Sequence, residues 1–338
     1  MMFRWSSHRT HLVVTTVAVA AAVLVFHGVG SWAARHEPPG GRAAIGLGFG
    51  AGDGAGSGNG AGSGDGAGTG GHQRARRRPT SEPVDTRLFA AGACVAFWPT
   101  GGDRHLTVFL DAGHGGRDPG GIGVTPHFRT VNEAWVNLRV EMDAMTLLTA
   151  QGYRVVVSRT GSGLVHPNSP GNSASGALTP RGVHADIAAR TTCANLAGAS
   201  LLVGIYMNAG YWGMGGSVTA YCADRVFGDS NRRFAKLLQR DVLAALNSRG
   251  YRIPNLGLQT DDRLGSSSSA AADSYGHLML LGPAKRGYFT APSRMPGALI
   301  EPLFLTDPFE AAVAASSEGQ NLIATGIARA VDKYFTGL

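Results

Sequence analysis

Cysteine is scarce in this chain of 338 residues, which contains only Cys94, Cys193 and Cys222. No two of them form a Cys-x-x-Cys pair, which excludes a zinc ribbon, and three are too few for a disulfide-rich scaffold. In an oxidising compartment one disulfide and one free thiol would fit this number, but the sequence does not identify the pair. We otherwise expect the cysteines to be small core residues.

Acidic residues are also in short supply. Asp and Glu together number 23 against 30 Lys and Arg, so the formal net charge is +7 and the sequence pI is about 9.7. This balance favours anionic surroundings, such as membrane lipid, a cell-wall polymer or nucleic acid, but charge alone does not choose among them.

Long apolar runs are absent apart from one near the N-terminus, Leu12–Phe26. It is shorter than the roughly 20 residues that a spanning helix needs. Arg4 and Arg9 precede it and small residues follow it up to Ala34, a pattern typical of an export signal. We predict that residues 1–34 are a signal peptide or an uncleaved membrane anchor. The protein would then be periplasmic, cell-wall associated or membrane-anchored, and would have no nucleic-acid partner.

Glycine is abundant, at 50 residues, but unevenly placed. It occupies every second position from Gly46 to Gly70, where no side chains could build a core. We therefore predict a disordered linker over residues 35–103 and a single folded domain over residues 104–338. The linker contains a basic cluster that either binds anionic lipid or wall polymer or is simply solvated: Arg74, Arg76, Arg77 and Arg78.

Beyond the linker, short apolar runs alternate with amphipathic stretches, which predicts an α/β fold with a layered mixed sheet flanked by helices. The predicted strands are Thr107–Asp111, Tyr153–Ser158, Leu201–Tyr206, Val218–Cys222, Leu278–Leu281 and Ala298–Ile300. The predicted helices carry an apolar stripe at Val131, Trp135, Leu138, Met142 and Met145, cover Arg181–Leu196 and Asn231–Leu246, and end with Ile323, Ile327, Ala330 and Tyr334.

Three residues at predicted strand ends and helix starts are candidates for hydrolytic chemistry. Hydrolysis of an amide needs an activated water and stabilisation of an oxyanion, and a zinc ion held by His and carboxylate ligands supplies both. His114 follows a strand within a glycine-rich turn, Glu133 begins the next helix, and Glu301 follows Ala298–Ile300. Taken singly, each is as compatible with an ordinary turn or helix-start residue.

Taken in order, the segments around these residues resemble the zinc-dependent N-acetylmuramoyl-L-alanine amidases of the amidase type 3 family. The resemblance covers about residues 107–335 and rests on five stretches: LDAGHGGRDPG, NEAWVNLRV, GYRVVVSRT, LTPRGVHADIAARTTCANLAGASLLVG and MPGALIEPLFLTDPFEA. It implies that His114 and Glu133 bind one Zn²⁺ and that Glu301 is the catalytic general base.

The resemblance also implies a function. The domain would be a peptidoglycan hydrolase in which zinc-activated water cleaves the amide between N-acetylmuramic acid and the L-alanine of the stem peptide. Arg159, Arg190 and Asn208 are candidates for substrate binding, the two arginines as clamps for a carboxylate. The alternative for the arginines is a structural role.

One position departs from the family pattern. Where the family has Ser-Ile-His-Ala-Asn-Ala, this chain has Gly204-Ile-Tyr-Met-Asn-Ala209, so Tyr206 stands at the third zinc ligand. A phenol with a pKa near 10 is a poor ligand unless the metal removes its proton. Either Tyr206 binds as phenolate, or another histidine replaces it, or the protein is an inactive member with a wall-binding or regulatory role. The other histidines considered are His127, His166, His184 and His277.

Overall fold

The computed structural model describes residues 80–337 except residue 168 and residues 264–269. The predicted export segment, the glycine repeat and the basic cluster Arg74, Arg76, Arg77 and Arg78 lie outside the described residues. Among those described, no helix is both long and apolar enough to cross a membrane.

The structure contains twelve strands and six α-helices in the described residues. The strands are β1 (Ser81–Pro83), β2 (Ala93–Phe97), β3 (Thr107–Ala112), β4 (Ile122–Val124), β5 (Thr130–Asn132), β6 (Arg154–Arg159), β7 (Ser173–Ala174), β8 (Ala177–Leu178), β9 (Leu201–Ile205), β10 (Ser217–Tyr221), β11 (Asn255–Thr260) and β12 (Gly297–Glu301). The helices are α1 (Glu133–Ala150), α2 (Pro180–Leu196), α3 (Gly228–Asn247), α4 (Ala270–Tyr275), α5 (Pro308–Ala315) and α6 (Ser317–Thr336).

Eight strands form one mixed sheet in the order β1-β2-β6-β3-β9-β12-β10-β11. The four central strands β6, β3, β9 and β12 run parallel to one another. Strand β10 pairs antiparallel with β12 and parallel with β11, and β1 and β2 are antiparallel additions at the other side. This architecture confirms the predicted layered mixed sheet.

Helices cover both faces of the sheet, because its buried strands carry apolar side chains on both sides. In β3, Val108 and Leu110 join the cluster beneath α1, α3 and α6, whereas Phe109 between them joins the cluster beneath α2. The alternation follows the two-residue period of a strand. The outcome is a three-layer domain with helices on both faces of the sheet.

The predicted domain start at residue 104 is too late. Strand β2 pairs with β6, and β1 pairs with β2, so residues 81–97 belong to the sheet. In β2, Ala93, Val95 and Ala96 are buried. The glycine-rich composition that predicted a linker ends well before these strands, and the apolar run around β2 is the signal that the prediction overlooked.

Two further predictions of secondary structure are wrong in detail. Leu278–Leu281 forms a buried turn, closed by a hydrogen bond from Leu281 N to Leu278 O, and not a strand. Helix α1 buries Val136, Val140, Ala144 and Leu148, whereas Trp135 on the predicted stripe is exposed. The buried face is therefore offset by one residue from the stripe.

The offset places three polar side chains on the buried face of α1. Glu133, Asn137 and Glu141 follow one another at four-residue intervals, which aligns them along the helix. They face the carboxyl end of β3, where Asn137 Nδ2 donates to Gly113 O at 3.3 Å and Glu141 Oε1 accepts from Ala112 N at 3.1 Å. The core side of this helix thus supports the turn after β3.

The structure identifies the disulfide that the sequence left open. Cys94 of β2 is bonded to Cys193 of α2, and Cys222 is free and buried. The bond joins the sheet to the helix that covers one of its faces.

Candidate active site

The candidate site lies at the carboxyl edge of the four parallel strands. In such a sheet the strand ends and the loops that follow them meet at one edge, where ligands bind. Register places Ile205 of β9 opposite both Ala112 of β3 and Ile300 of β12. Three predicted residues follow these positions within one or two residues: His114, Tyr206 and Glu301.

His114 is held in the turn after β3 by two carboxylates. Its backbone lies in the left-handed region (φ +63°), which aims the ring back across the strand end. Nδ1 lies 2.8 Å from Asp118 Oδ2, and Nε2 lies 3.2 Å from Glu133 Oε1. Burial opposes protonation of the imidazole, but Glu133 and Asp118 overcome it and raise the pKa of His114 to about 10.

Asp118 is a functional residue that the sequence analysis missed. It is part of the motif LDAGHGGRDPG, and its spacing of four residues from His114 across a glycine turn was the available signal. By accepting the Nδ1 proton it leaves Nε2, which faces Glu133, as the ring nitrogen at which a metal ion could replace a proton. A histidine that binds a metal is commonly oriented in this way by a carboxylate.

Glu133 begins α1 and is fixed by several donors. Its Oε2 accepts from Gly121 N at 2.6 Å, and its Oε1 accepts from Met207 N at 3.0 Å and from Asn137 Nδ2 at 3.3 Å. A Cβ at Gly120 would lie 2.6 Å from Glu133 Oε2 and from the His114 ring, so only glycine allows this close approach. The pair is therefore built to a fixed geometry.

Glu301 ends β12 and is held by Asn208. Asn208 Nδ2 donates to Glu301 Oε2 at 2.8 Å, while Asn208 Oδ1 accepts from Ala209 N at 2.8 Å. Burial and the nearby Glu133 carboxylate raise the pKa of Glu301 to about 8, against the lowering influence of His114. Asn208, predicted to bind substrate, thus has a clear role in holding the carboxylate.

The Tyr206 hydroxyl is directed at Asp111 and not at the His114–Glu133 pair. The phenol donates to Asp111 Oδ2 at 3.1 Å, and its ring packs edge-on to His114 with centroids 5.5 Å apart. Burial and the Asp111 carboxylate raise the pKa of Tyr206 well above its ordinary value. The hydroxyl is thus engaged by Asp111, which argues against the alternative in which Tyr206 binds zinc as phenolate.

None of the four other histidines joins the pair. His184 Nε2 bonds to Tyr288 O, His166 contacts Asn172, and His127 is exposed in the turn between β4 and β5. His277 contacts Asp261 in a different part of the fold. Replacement of the third ligand by one of these histidines therefore has no support in the described geometry.

Arg190 does not serve as the predicted substrate clamp. It is 1% exposed, and its guanidinium donates to the carboxylates of Asp186 and Asp111 and to the carbonyl oxygens of Ala112 and His114. No donor is left to point at a ligand, since all these bonds lie within the protein. Arg190 instead fixes the turn that carries His114.

Arg159 holds the same turn from the other side. It is also 1% exposed, and it donates to the carbonyl oxygens of Ala112, Gly113, Gly161 and Ala134. The prediction of substrate binding is corrected for both arginines. The physical reason is burial: a guanidinium kept from water needs its partners inside the protein.

The His114–Glu133 pair fits a zinc ion in its chemistry. Imidazole nitrogen and carboxylate oxygen are ordinary zinc ligands, and the bond between Nδ1 and Asp118 leaves Nε2 as the ring nitrogen on the side of Glu133. Among the described residues no third His, Cys, Asp or Glu donor comes close enough to complete a three-residue set. The pair therefore offers two protein ligands.

Most of the described domain matches one protein family. The profile described as N-acetylmuramoyl-L-alanine amidase matches residues 108–333, more than half of the sequence. The chain belongs to the N-acetylmuramoyl-L-alanine amidase family. The resemblance found in the motifs is thereby confirmed, and the matched region contains His114, Glu133, Tyr206 and Glu301.

Individual relatives of this amidase-family chain are distant. The uncharacterized protein YqiI of Bacillus subtilis is 25% identical over 229 residues, which cover 68% of this chain and 84% of YqiI. The CwlD amidase of Clostridioides difficile, solved in complex with the GerS lipoprotein, is 20% identical and covers 69% of this chain and all of that one, with a TM-score of 0.52. An N-acetylmuramoyl-L-alanine amidase of Clostridium difficile 630 is 24% identical, covers 68% and 97% of the two chains and gives a TM-score of 0.47. The CwlD likeness shows the shared fold.

Proposed function

We propose that this chain hydrolyses the amide between N-acetylmuramic acid and the L-alanine of the peptidoglycan stem peptide. The observation that carries the proposal is the convergence of His114 Nε2 on Glu133 Oε1, with Asp118 behind the ring and Glu301 near both. A pair of carboxylates around an oriented imidazole at a strand edge is an arrangement suited to hydrolysis. Family membership supplies the substrate class.

His114, Glu133, Glu301 and Asn208 have different roles in the proposed hydrolysis. A zinc ion held by His114 and Glu133 would polarise the scissile carbonyl and acidify the attacking water. Glu301 accepts a proton from the attacking water and returns it to the departing amine. Asn208 keeps the Glu301 carboxylate at the end of β12 during both transfers.

The loop after Asn208 offers a surface for the glycan. Tyr211 and Trp212 are 85% and 74% exposed, although large aromatic side chains are usually buried. Aromatic faces stack well on sugar rings, and these two follow Asn208 by three and four residues. We therefore assign them to substrate contact.

The test incubates purified sacculi with the purified chain and zinc, and measures the new L-alanine amino termini that are released. Glu301→Gln should abolish release because the amide accepts no proton, whereas Glu318→Gln, an exposed glutamate of α6, should leave it unchanged. Sacculi that stay intact at excess zinc with the wild-type chain would contradict the hydrolase proposal.

A second candidate is a non-catalytic wall-binding or regulatory member of the family. Tyr206 favours it, because the phenol is engaged by Asp111 and leaves two protein ligands. This candidate requires that the chain bind sacculi without releasing amino termini and that Glu301→Gln change nothing.

The proposed substrate places the protein outside the cytoplasm. We propose export through residues 1–34 and contact of Arg74, Arg76, Arg77 and Arg78 with anionic lipid or wall polymer. Deletion of residues 2–34 should retain the protein in the cytoplasm. Reversal of the four arginine charges should weaken sedimentation with anionic vesicles or sacculi, and no change in either assay would contradict the assignment.

A further inference from the structure

A second cluster of ligand-type side chains lies at the opposite edge of the sheet. Strands β10 and β11 run parallel to each other, and β10 is antiparallel to β12, so their carboxyl ends point away from the edge that bears Glu301. Cys222 follows β10 directly and Asp261 follows β11 directly. His277 approaches them from the segment after α4.

The three side chains converge on one point. His277 Nδ1 lies 3.2 Å from Asp261 Oδ1 and 3.8 Å from Cys222 Sγ, and one donor atom from each residue lies within 4.8 Å of the others. Cys222 is fully buried and Asp261 is 1% exposed. Among the described residues Asp261 Oδ2 has no hydrogen-bond partner, so a buried carboxylate oxygen is left without a donor.

The geometry excludes a nucleophilic triad. In a triad the histidine uses one ring nitrogen for the nucleophile and the other for the carboxylate. Here the same nitrogen, Nδ1, faces both Cys222 and Asp261. Burial raises the pKa of the Cys222 thiol to about 12, which further argues against a nucleophile.

We propose that Cys222, Asp261 and His277 bind a zinc ion that is separate from the candidate active site. Sulfur, imidazole nitrogen and carboxylate oxygen together select zinc and its transition-metal neighbours over magnesium and calcium. Three residues from the protein leave one position of a tetrahedral ion for water. Binding displaces the thiol proton to solvent, and the bound cation gives the unpartnered Asp261 oxygen its counter-charge.

The ion would have a structural effect on the edge of the domain. Its ligands come from three segments: the end of β10, the end of the edge strand β11 and the chain after α4. The surrounding chain is already fixed, since Asn231 Nδ2 donates to Cys222 O at 2.8 Å and Arg225 donates to Leu281 O at 2.7 Å. The ion would fasten β11, which pairs on one side only, to the body of the sheet.

Cobalt(II) is the probe that separates this site from the His114–Glu133 pair. Cys222 is the free cysteine, because Cys94 and Cys193 are bonded to each other, so absorption from thiolate-to-cobalt charge transfer reports on Cys222 alone. We expect the full chain titrated with Co²⁺ to develop this absorption and to lose it when Zn²⁺ is added. His114→Ala should retain it in full.

Variants of the cluster complete the test. Cys222→Ser should abolish the absorption. Asp261→Asn and His277→Gln should lower the affinity for cobalt by at least about tenfold, because mutation of a residue that only supports a metal ligand already lowers metal affinity by that much. Asp224→Asn, an exposed neighbour, is the matched control. Circular dichroism checks that each variant folds.

Two results would overturn the proposal: no thiolate–cobalt absorption in the wild-type chain at excess metal, or equal absorption in Cys222→Ser. A second measurement needs no variant. An aromatic disulfide reagent reacts with the buried Cys222 thiol only when the chain unfolds, and the rate of this reaction is measured with and without zinc. Zinc should slow it, and a rate indifferent to zinc would count against the site. Loss of hydrolysis with retention of the cobalt signal would refute only the proposed enzyme function.

Discussion

The Tyr206 hydroxyl donates to Asp111 Oδ2 at 3.1 Å, and Asp111 Oδ1 accepts from Arg190 at 2.8 Å. The residue at the family's third ligand position therefore belongs to the network that supports His114 from behind. Arg190 continues this network to the carbonyl oxygen of His114 itself. The phenol of Tyr206 is thus part of the scaffold around the turn that carries His114.

Substitution of Tyr206 tests this relationship. Tyr206→Phe should leave zinc content unchanged, because the phenol is not a ligand, and should lower the free energy of unfolding by about 1.5–3 kcal/mol, the cost of a hydrogen bond to a charged group. Tyr206→His should raise zinc affinity by supplying an imidazole. Metal analysis and urea denaturation measure the two effects. A loss of zinc in Tyr206→Phe would show that the phenol binds metal after all.

Asp118→Asn tests the orientation of His114. The neutral amide accepts a hydrogen bond from Nδ1 more weakly than a carboxylate does, so the ring loses support for the tautomer that carries its proton on Nδ1 and leaves Nε2 free for a metal ion. We expect zinc affinity to fall by about 10- to 100-fold, as for comparable partners of metal-bound histidines. Competition with a chromogenic chelator measures it. Asp103→Asn, whose carboxylate lies beside the exposed His105, is the control, and equal effects in the two variants would contradict the prediction.

Arg190→Gln separates a scaffold from a substrate clamp. The change leaves Asp111 and Asp186 as buried charges without their cation, so we expect a loss of about 3–5 kcal/mol in unfolding free energy. A clamp would instead raise KM with little loss of stability. Arg181→Gln, near the exposed start of α2, should change neither quantity.

Glu141 gives the fold a dependence on pH. Burial raises the pKa of its carboxyl group to about 7 from an ordinary 4.5, with Asp111 adding to the shift and Arg159 opposing it. Between these values the folded state holds the proton more tightly than the unfolded state, so stability falls as pH rises and levels off above about pH 7. Glu141→Gln should remove this contribution, so that its stability relative to wild type increases from pH 4.5 to 7.

Urea denaturation at pH 4.5, 6 and 7.5 measures this difference. Each comparison uses chelated buffer, so that no metal titrates with the protein. Glu318→Gln, an exposed carboxylate of α6, should run parallel to wild type across the range. A Glu141→Gln curve that also runs parallel would contradict the assignment.

The sequence predicted the elements whose patterns are local. Strand β3 and the last helix follow from apolar runs and a 3.6-residue period, and the buried residues Ile323, Ile327 and Tyr334 confirm the latter. The motif stretches also predicted that His114 and Glu133 would meet, which the 3.2 Å separation of their side-chain atoms shows. The roles of these residues stay predictions.

Other features depend on contacts that no local pattern encodes. Helix α1 buries Glu133, Asn137 and Glu141 because the turn after β3 supplies their hydrogen-bond partners. The apolar pattern alone therefore predicted a buried face that is offset by one residue from the observed face. The sequence around Arg159 and Arg190 has no pattern from which their burial against backbone carbonyl oxygens could be predicted. Strands β1 and β2 were missed because the preceding glycine repeat set the expected domain boundary.

The disulfide between Cys94 and Cys193 carries the last prediction. It closes a loop of 99 residues between β2 and α2, and a link across so long a loop restricts the unfolded chain strongly. The double variant Cys94→Ser with Cys193→Ser should lose about 2–5 kcal/mol in unfolding free energy. Reductant should destabilise the wild-type chain in thermal melts and leave the double variant unaffected. Cys222→Ser should respond to reductant as wild type does, because its thiol takes no part in the bond. If reductant destabilised the double variant as well, the effect would have a source other than this disulfide.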